Sequence, residues 1–172
     1  MEFHSLFTYC PVCGSRRFEV NNFKSKKCGD CGFVYYLNPA AATAAFILND
    51  RGELLVCRRA KDPAAGALDL PGGFIDPYET AEEGILREIK EETGITAAEA
   101  CYLFSLPNQY EYKGLTVPTT DMFFSVKILN DNNIHAADDV AECFFIPKEK
   151  INCADFGLQS VRKAVERFLN SG

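Results

Sequence analysis

Three glutamates crowded beside an arginine are the residues of this chain best suited to chemistry. Glu88, Glu91 and Glu92 lie in the segment REIKEETGI, which begins at Arg87. Like charges three or four positions apart on a helix repel one another and lower its stability. A divalent cation would reverse that interaction, because hard carboxylate oxygens suit Mg²⁺ or Mn²⁺. Solvated acidic faces are common, however, so the spacing by itself favours an ordinary exposed helix face.

The residues around the glutamates predict the helix that positions them. Thr80 and Glu83 make the pattern of a capping box, and Gly94 fits the position just after the C-terminus. We therefore expect a helix over about residues 81–93. The three carboxylates would then project from one side, near the C-terminal end, where the helix dipole disfavours negative charge.

A second set of ligand-type residues lies near the N-terminus, in two pairs of cysteines. The first pair lies in CPVCG and the second in CGDCG, and fourteen residues separate the two pairs. Two such pairs can close a tetrahedral four-sulfur site, which suits Zn²⁺; an iron site or a redox dithiol is the alternative. A segment of about forty residues cannot build a sufficient core alone, so we expect the metal to be structural. The predicted zinc ligands are Cys10, Cys13, Cys28 and Cys31.

Composition and charge narrow the class of protein. Hydrophobic residues make up 47% of the 172, which indicates a globular chain, and no apolar run reaches the ~20 residues that span a bilayer. The net charge of −6 argues against broad electrostatic binding to nucleic acid. No basic region followed by an apolar core opens the chain, so no signal peptide is apparent and we expect a cytoplasmic protein without membrane contact.

Strand and helix signals alternate along the rest of the chain. We expect a strand at about residues 33–39, a domain boundary near residues 38–40, and a hairpin formed by residues 40–50 and 53–60. Further strands are predicted in EACYLFSLPNQYEY, TTDMFFSVKIL and AECFFIP, before an amphipathic C-terminal helix. Strands interleaved with a few helices indicate an α/β sandwich.

The loop before the glutamate helix changes the interpretation of the acidic face. From Gly73 the chain reads GFIDPYETAEEGILREIKEETGI, with five residues between Gly73 and Glu79. This string of 23 residues resembles, at every fixed position, the Nudix box of hydrolases that act on nucleoside diphosphates linked to another group. GALDLPGGF and AECFFIP also resemble segments of that family, and the resemblance covers about residues 40–170. The cysteine pairs resemble the zinc ribbon of the NADH pyrophosphatase branch.

The resemblance implies a fold and a division of the chain. The implied fold is an α/β/α sandwich of the Nudix type, with a mixed sheet between helices, behind a small N-terminal zinc ribbon. We place the ribbon at residues 1–38 and the Nudix hydrolase domain at residues 39–172. The resemblance to the NADH pyrophosphatase branch also suggests a homodimer.

The resemblance implies metal ligands among the residues of the box and its flanks. Box glutamates bind Mg²⁺ or Mn²⁺ in this family, so Glu88, Glu91 and Glu92 are the implied ligands. The backbone carbonyl of Gly72 is a further implied ligand. Glu142, in AECFFIP, resembles the extra glutamate that binds metal or serves as general base in several members.

Two further roles follow from the same resemblance. Arg87 would pair with Glu79 and orient a box glutamate, which is a positioning role. The general base varies across the family, so that role stays open between Glu91 and Glu142. These residues complete the predicted catalytic set.

The implied activity is that of a Mg²⁺-dependent pyrophosphohydrolase, with NADH, ADP-ribose and FAD-like dinucleotides as the favoured substrates. One alternative is an enzyme directed to capped or NAD-tipped RNA, guided by the ribbon lysines Lys24, Lys26 and Lys27. The other is a ligand-sensing regulatory protein, although such proteins often lose box glutamates that this chain keeps.

Two segments depart from the pattern of the family. The NADH pyrophosphatase branch carries a motif close to Ser-Gln-Pro-Trp-Pro-Phe-Pro after the box, where this chain has SLPNQYEYKG from Ser105. Only the Ser and the Pro of that motif are recovered, which weakens the expectation of NADH selectivity. Tyr78 stands before Glu79, where the family commonly has glycine.

Overall fold

The computed structural model describes residues 7–128, 134–137 and 139–170. Parts of three predictions lie outside the described residues: residues 1–6 of the ribbon, Leu129 at the end of a predicted strand, and residues 129–133, 138 and 171–172 of the second domain.

The N-terminal part of the chain forms a small antiparallel sheet. Its three strands, in the order β1-β2-β3, are β1 (Phe18–Asn22), β2 (Ser25–Cys28) and β3 (Val34–Tyr36). Cys10, Phe18 and Cys28 are its buried core, and Phe33 and Tyr35 pack against them. So few apolar side chains make a marginal core, which agrees with the expected need for a metal.

Six strands and two helices follow. The strands are β4 (Ala40–Ile47), β5 (Leu54–Arg59), β6 (Leu68–Asp69), β7 (Ala97–Tyr112), β8 (Leu115–Ile128) and β9 (Val140–Ile146). The helices are α1 (Ala81–Thr93) and α2 (Gln159–Leu169), with single 3₁₀ turns at Lys148–Lys150 and Cys153–Asp155. Within the described ranges, no helix is long and apolar enough to cross a membrane.

The six strands form two sheets of three strands each. In the first sheet, ordered β4-β8-β7, β4 runs parallel to β8 and β7 runs antiparallel to it. In the second sheet, ordered β6-β5-β9, both pairings are antiparallel. The boundary near residues 38–40 stays a prediction; β3 ends at Tyr36 and β4 begins at Ala40.

The two helices pack on opposite sides of the strands. Successive residues of a strand point to opposite faces, so Phe46 belongs to the apolar cluster of α2 and Ile47 to that of α1. Val56 and Leu55 divide in the same way. The predicted α/β sandwich with a mixed sheet between helices is therefore confirmed.

The predicted hairpin between the first two strands of this domain is wrong. β4 and β5 meet through an isolated bridge between Leu48 and Leu54, while β4 pairs along its whole length with β8. Residues 43–47 of β4 are all buried, which is the pattern of a strand covered on both faces rather than of a hairpin arm at the surface. The turn after β4 therefore passes the chain from one sheet to the other.

Candidate active site

The glutamate helix α1 begins and ends at the residues that the sequence indicates. Thr80 accepts a hydrogen bond from the backbone N–H of Glu83, and the Glu83 side chain accepts one from the N–H of Thr80. Gly94 ends the helix in the left-handed conformation, at φ 72°. Ile85 and Ile89 are fully buried, and Glu88 and Glu92 each follow one of them by three positions, so these two carboxylates lie beside the buried face of the helix. The predicted helix over 81–93 is confirmed.

Two glycines bring the preceding loop against this helix. Gly72 has φ 147°, and a Cβ there would lie 2.2 Å from the carbonyl oxygen of Thr43 in β4, so no larger residue fits. Its N–H donates to Glu92 Oε2 at 2.9 Å. A Cβ on Gly73 would lie 2.6 Å from the carboxylate of Glu88. The loop backbone thus packs directly on two of the box carboxylates.

Arg87 is the centre of the ion pairs around α1. Its guanidinium donates to both carboxylate oxygens of Glu79, at 2.6 and 3.1 Å, and to the carbonyl of Phe74 at 3.0 Å. It also donates to Glu88 Oε1 at 2.8 Å and to Glu91 Oε2 at 3.0 Å. The hydrogen bonds from Arg87 lower the pKa of Glu79. One arginine therefore ties the loop before α1 to two of the box glutamates.

Glu92 differs from the other box glutamates in its surroundings. Burial raises the pKa of its carboxyl to about 8, with the neighbouring charges of Glu88 and Asp69 adding to the shift, while the N–H of Gly72 acts in the opposite direction. A carboxylate in such a place is stabilised by a nearby positive charge. Hard oxygen ligands on adjacent turns of one helix, beside a closely packed glycine loop, fit a divalent cation.

The structure does not draw all the predicted ligands together. Among the described residues, the four N-terminal cysteines are the single set of three or more His, Cys, Asp or Glu side chains whose ligand atoms all lie within 4.8 Å of one another. The Glu91 side chain is about half exposed, at 49%. Glu88 is the least exposed of the box glutamates that Arg87 holds, at 14%.

Glu142 lies apart from α1. It is paired across strands with Arg58, whose Nε donates to Glu142 Oε2 at 3.2 Å. Phe144 and Ile146 of the same strand pack in the α2 cluster, so alternation places Glu142 on the α2 side of β9. Its proposed role at the metal site is therefore the weakest of the predicted set.

Asp139, which the sequence interpretation missed, lines the same cavity as Glu88 and Glu92. It precedes β9 and forms an ion pair with Lys61. An acidic pair, DD, stands just before the predicted strand and is the signal that could have drawn attention to it. The alternation that turns Glu142 away was not readable from the strand pattern alone.

A cavity of about 270 Å³ opens beside the glutamates. It extends between the glycine loop, α1, strands β7 and β8, and the start of α2. Residues from these elements that line it include Gly73, Glu88, Glu92, Asn108, Tyr110 and Val161. The rings of Phe74 and Tyr110, both at the cavity, meet edge to face with centroids 5.3 Å apart. The cavity therefore combines acidic, aromatic and amide side chains.

A buried ion pair forms another part of the cavity wall. Arg59 Nη1 donates to Asp69 Oδ2 at 2.6 Å, and Arg59 Nε donates to the carbonyl of Pro63 at 2.6 Å. Burial raises the pKa of Asp69, although the charge of Arg59 acts against the shift. These contacts occupy Arg59 within the protein.

The four N-terminal cysteines form a compact sulfur cluster. Cys10 and Cys31 Sγ are 3.7 Å apart, and Cys13 and Cys28 Sγ are 3.6 Å apart. Backbone N–H groups of Cys31 and Asp30 point to Cys28 Sγ at 3.5 and 3.4 Å, and they lower the pKa of that thiol to about 6. Because thiolate is the form that binds metal, this geometry fits a four-sulfur zinc site.

The structure corrects the interpretation of one ribbon lysine. Lys26 is only 5% exposed, and its Nζ donates to the carbonyl of Phe7 at 2.9 Å and lies over the ring of Phe18. Alternation along β2 turns it inward, whereas Lys24 and Lys27 are exposed. Lys26 is therefore not placed to contact a nucleic acid.

Comparisons with known proteins agree on one family. Residues 38–168 match the family model described as "NUDIX domain". An ADP-ribose pyrophosphatase of Methanocaldococcus jannaschii is 31% identical over 137 residues, which cover 78% of this chain and 78% of that protein.

Two other similarities concern the fold and the share of each relative that this chain covers. The protein named NAD-capped RNA hydrolase NudC of Vibrio atlanticus is 34% identical over 101 residues, but the match covers 58% of this chain and only 36% of that protein. This chain therefore spans about a third of the NudC proteins it matches. A NUDIX hydrolase of known structure from Nitrosomonas europaea has a TM-score of 0.75 at 22% identity, covering 96% of this chain and 92% of its own.

Proposed function

This chain belongs to the Nudix family of hydrolases, and we propose that it cleaves the diphosphate of nucleoside diphosphates linked to a second group. The observation that carries the proposal is the packing of the Gly72–Gly73 backbone on the carboxylates of Glu88 and Glu92, at the edge of the cavity. This arrangement places hard acidic ligands beside a space that can receive a phosphorylated substrate.

We assign the divalent cation, Mg²⁺ or Mn²⁺, to Glu88 and Glu92, with Glu91 and the carbonyl of Gly72 as further ligands. The support is the chemistry of the donor set and the raised pKa of Glu92, which a cation would offset. When bound, the cation neutralises charge on the diphosphate and acidifies water. Glu142 remains in the predicted ligand set; it forms an ion pair with Arg58 and is not among the residues that line the cavity.

The residues of the chain itself would divide the remaining work. Arg87 orients Glu88 and Glu91 through its hydrogen bonds and is anchored in turn by Glu79. A carboxylate must accept a proton from the attacking water. We expect Glu91 or Asp139 in that role ahead of Glu142, because Glu91 is a half-exposed glutamate of the box and Asp139 lines the cavity.

Among substrates, we favour ADP-ribose, NADH and FAD-like dinucleotides. The similarity to a protein named ADP-ribose pyrophosphatase, over most of both chains, supports the first. The aromatic pair of Phe74 and Tyr110 at the cavity supports a planar base near the diphosphate. Substrates that carry a base are therefore favoured over simple inorganic or sugar phosphates.

We propose that the four cysteines hold one structural Zn²⁺. All four thiols converge, and the ribbon has a small apolar core, so the metal would supply most of its stability. A four-thiolate site also fits the reducing compartment of the expected cytoplasmic location. The homodimer and the boundary between residues 38 and 39 remain predictions.

A second candidate function is the hydrolysis of NAD-capped RNA. Its support is the similarity to proteins named NudC, which covers little more than a third of those proteins. Of the three ribbon lysines, only Lys24 and Lys27 are exposed for contact with RNA. We therefore rank this function below hydrolysis of free dinucleotides.

One panel experiment tests both candidates. The purified protein is incubated with Mg²⁺ or Mn²⁺ and with NADH, NAD⁺, ADP-ribose, FAD, diadenosine polyphosphates, nucleoside triphosphates and NAD-capped RNA. We expect metal-dependent release of two monophosphate fragments from the favoured substrates. Glu92→Gln should lower kcat/KM by at least about 100-fold, since a hydrogen-bonded metal ligand is lost.

The matched control is Glu82→Gln, which removes an exposed carboxylate from the first turn of the same helix. It should leave kcat/KM within about twofold, because it touches no proposed ligand. The proposed function is wrong if no compound in the panel is hydrolysed, or if Glu92→Gln is as active as this control.

A further inference from the structure

One buried amide in the cavity is unexplained by the fold. Asn108, in β7, is only 7% exposed and lines the cavity beside the glutamates. Within the described part of the chain, its side chain forms no hydrogen bond. A buried amide without partners is costly, and native proteins keep few of them without a reason.

The polar neighbours of Asn108 are already committed to one another. Thr119, its direct cross-strand partner on β8, donates to Asp121 Oδ1 at 2.5 Å. Ser160 of α2 donates to the other oxygen of Asp121, also at 2.5 Å. Arg59 is paired with Asp69. Within the described residues, these contacts leave the side-chain amide of Asn108 without a hydrogen-bond partner.

Alternation along β7 shows which way Asn108 faces. Leu106, Asn108 and Tyr110 share one face of the strand; Leu106 packs in the α2 cluster and Tyr110 meets Phe74. Phe74 directly follows Gly73, whose backbone packs on Glu88. A substrate whose diphosphate lies at the glutamates would therefore extend its base past the aromatic pair toward this amide.

We propose that the side-chain amide of Asn108 reads the adenine base of the substrate. The amide offers one acceptor oxygen and an NH₂ donor side by side. Adenine presents the complement, an amino donor next to a ring-nitrogen acceptor, and Asn forms this two-bond pair with adenine elsewhere in protein recognition. The Phe74–Tyr110 pair, whose rings contact each other, would offer an aromatic surface for the base to lie against. The inference rests on the proposed function and deepens it by naming the residue that selects adenine.

The test compares two substrates that differ in one group of the base. The first is ADP-ribose, and the second is its analogue in which adenine is replaced by unsubstituted purine, which lacks the amino donor. The wild-type protein is expected to show about tenfold higher kcat/KM for ADP-ribose than for the purine analogue. This lies in the low-to-middle part of the discrimination expected from one two-bond contact to a base.

Asn108→Leu is the informative variant, since it keeps the approximate size and removes both hydrogen-bonding groups. We expect KM for ADP-ribose to rise roughly 10- to 100-fold, kcat to change less than about threefold, and the preference over the purine analogue to disappear. Asn108→Ala is measured in parallel in case Leu does not fold. The matched control is Gln109→Leu, which removes an exposed amide from the adjacent position on the opposite face of β7.

Binding measured without turnover separates this inference from the proposed function. Calorimetry of ADP-ribose and of the purine analogue is carried out in a chelator, so that hydrolysis is not required for a signal. A binding preference for adenine that Asn108→Leu abolishes supports the inference even if no substrate in the panel is hydrolysed.

Three results would overturn the inference while leaving the hydrolase assignment intact. They are a wild-type protein that does not distinguish the two bases, a Leu variant that keeps the distinction, and a Leu variant that weakens both ligands equally. The last would show that Asn108 has only a structural role. Failure of the wild-type protein to bind ADP-ribose at all would also overturn it.

Discussion

The ribbon and the glutamate helix are both candidate metal sites, and the chain builds them in opposite ways. In the ribbon, four thiol sulfurs lie within 4.8 Å of one another and come from two short turns, and N–H groups of one turn reach Cys28 Sγ. At α1, Arg87 and the backbone of Gly72 hold the glutamates individually. The first site is complete within the ribbon. The second also depends on the close approach of Gly72 to Thr43 of β4 and on cavity walls that come from β7, β8 and α2.

The difference has a physical origin in the charge of the ligands. A thiol that keeps its proton is neutral, so thiols can approach one another closely within a small core. Carboxylates are ionised near neutral pH, repel one another and need separate partners. Arg87 supplies such a partner for Glu88 and Glu91. At Glu92, burial raises the pKa of the carboxyl instead. We therefore expect perturbations of the ribbon to stay local and those of the loop to reach the active site.

The largest expected effect is the loss of the ribbon fold when its zinc ligand is removed. Cys28→Ser should abolish zinc binding and unfold β1 to β3, because structural zinc contributes on the order of 10 kcal/mol to such small domains. Hydrogen exchange should show lost protection in residues 18–36 and retained protection in α1. Metal analysis gives the zinc content. Lost protection in α1 would contradict the local character of this site, and protected ribbon amides in the zinc-free variant would contradict the dependence of the ribbon on its metal.

A methyl group on Gly72 should disturb the second site through a contact distant in sequence. In Gly72→Ala the new Cβ would lie 2.2 Å from the Thr43 carbonyl oxygen, so β4 and the loop must separate. We expect a loss of about 2–4 kcal/mol in the free energy of unfolding, measured by chemical denaturation, together with lost activity. Gly52→Ala is the control, since Gly52 also has positive φ, 75°, but open space around it. Equal losses in the two variants would show that backbone strain alone matters.

Arg87 should matter for its geometry as well as its charge. Arg87→Lys keeps the positive charge but loses the planar fork that bonds Glu79 and Glu88 together. We expect kcat/KM to fall roughly 10- to 100-fold, as for other residues that orient metal ligands. Arg51→Lys, at an exposed ion pair with Glu53, is the control and should change kcat/KM by less than about twofold. A small change in kcat/KM for Arg87→Lys would show that Arg87 acts only through its positive charge.

The smallest effect concerns Tyr78, which stands where the family commonly has glycine. Its backbone has φ 75°, and its side chain is fully exposed, so nothing in its contacts offsets the left-handed conformation. Tyr78→Gly should raise the free energy of unfolding by about 0.5–1 kcal/mol, after the entropy cost of glycine is subtracted. Thermal denaturation measures the change. A destabilised variant would reveal a contact role for the tyrosine.

The elements that sequence predicted well are those specified by neighbouring residues. The limits of α1 follow from Thr80, Glu83 and Gly94, which cap the helix through bonds within a few positions. The cysteine pairs likewise imply their own turns. The pairing of β4 with β8 is different, because paired residues such as Ala45 and Phe124 lie 79 positions apart and no local signal links them.

Within the candidate site too, features set by neighbouring residues could be predicted from the sequence, and features set by tertiary packing could not. The types and spacing of Glu88, Glu91 and Glu92 indicated a site for a divalent cation and, with the preceding loop, a resemblance to the Nudix family. The inward turn of Lys26 and the outward turn of Glu142 depend on strand register, where a shift of one residue exchanges the two faces. Register was set by tertiary packing and was not visible in the strand pattern.

By itself, the sequence determined the helix, the two cysteine turns and the membership of the family, because caps, turns and ligand spacing act over a few residues. Only the tertiary structure decided that Asp139 lines the cavity with Glu92, and that Asn108 has no side-chain partner among the described residues. Those outcomes depend on which strand faces meet when distant segments pack together, and burial then decides which polar groups are left to bind a ligand.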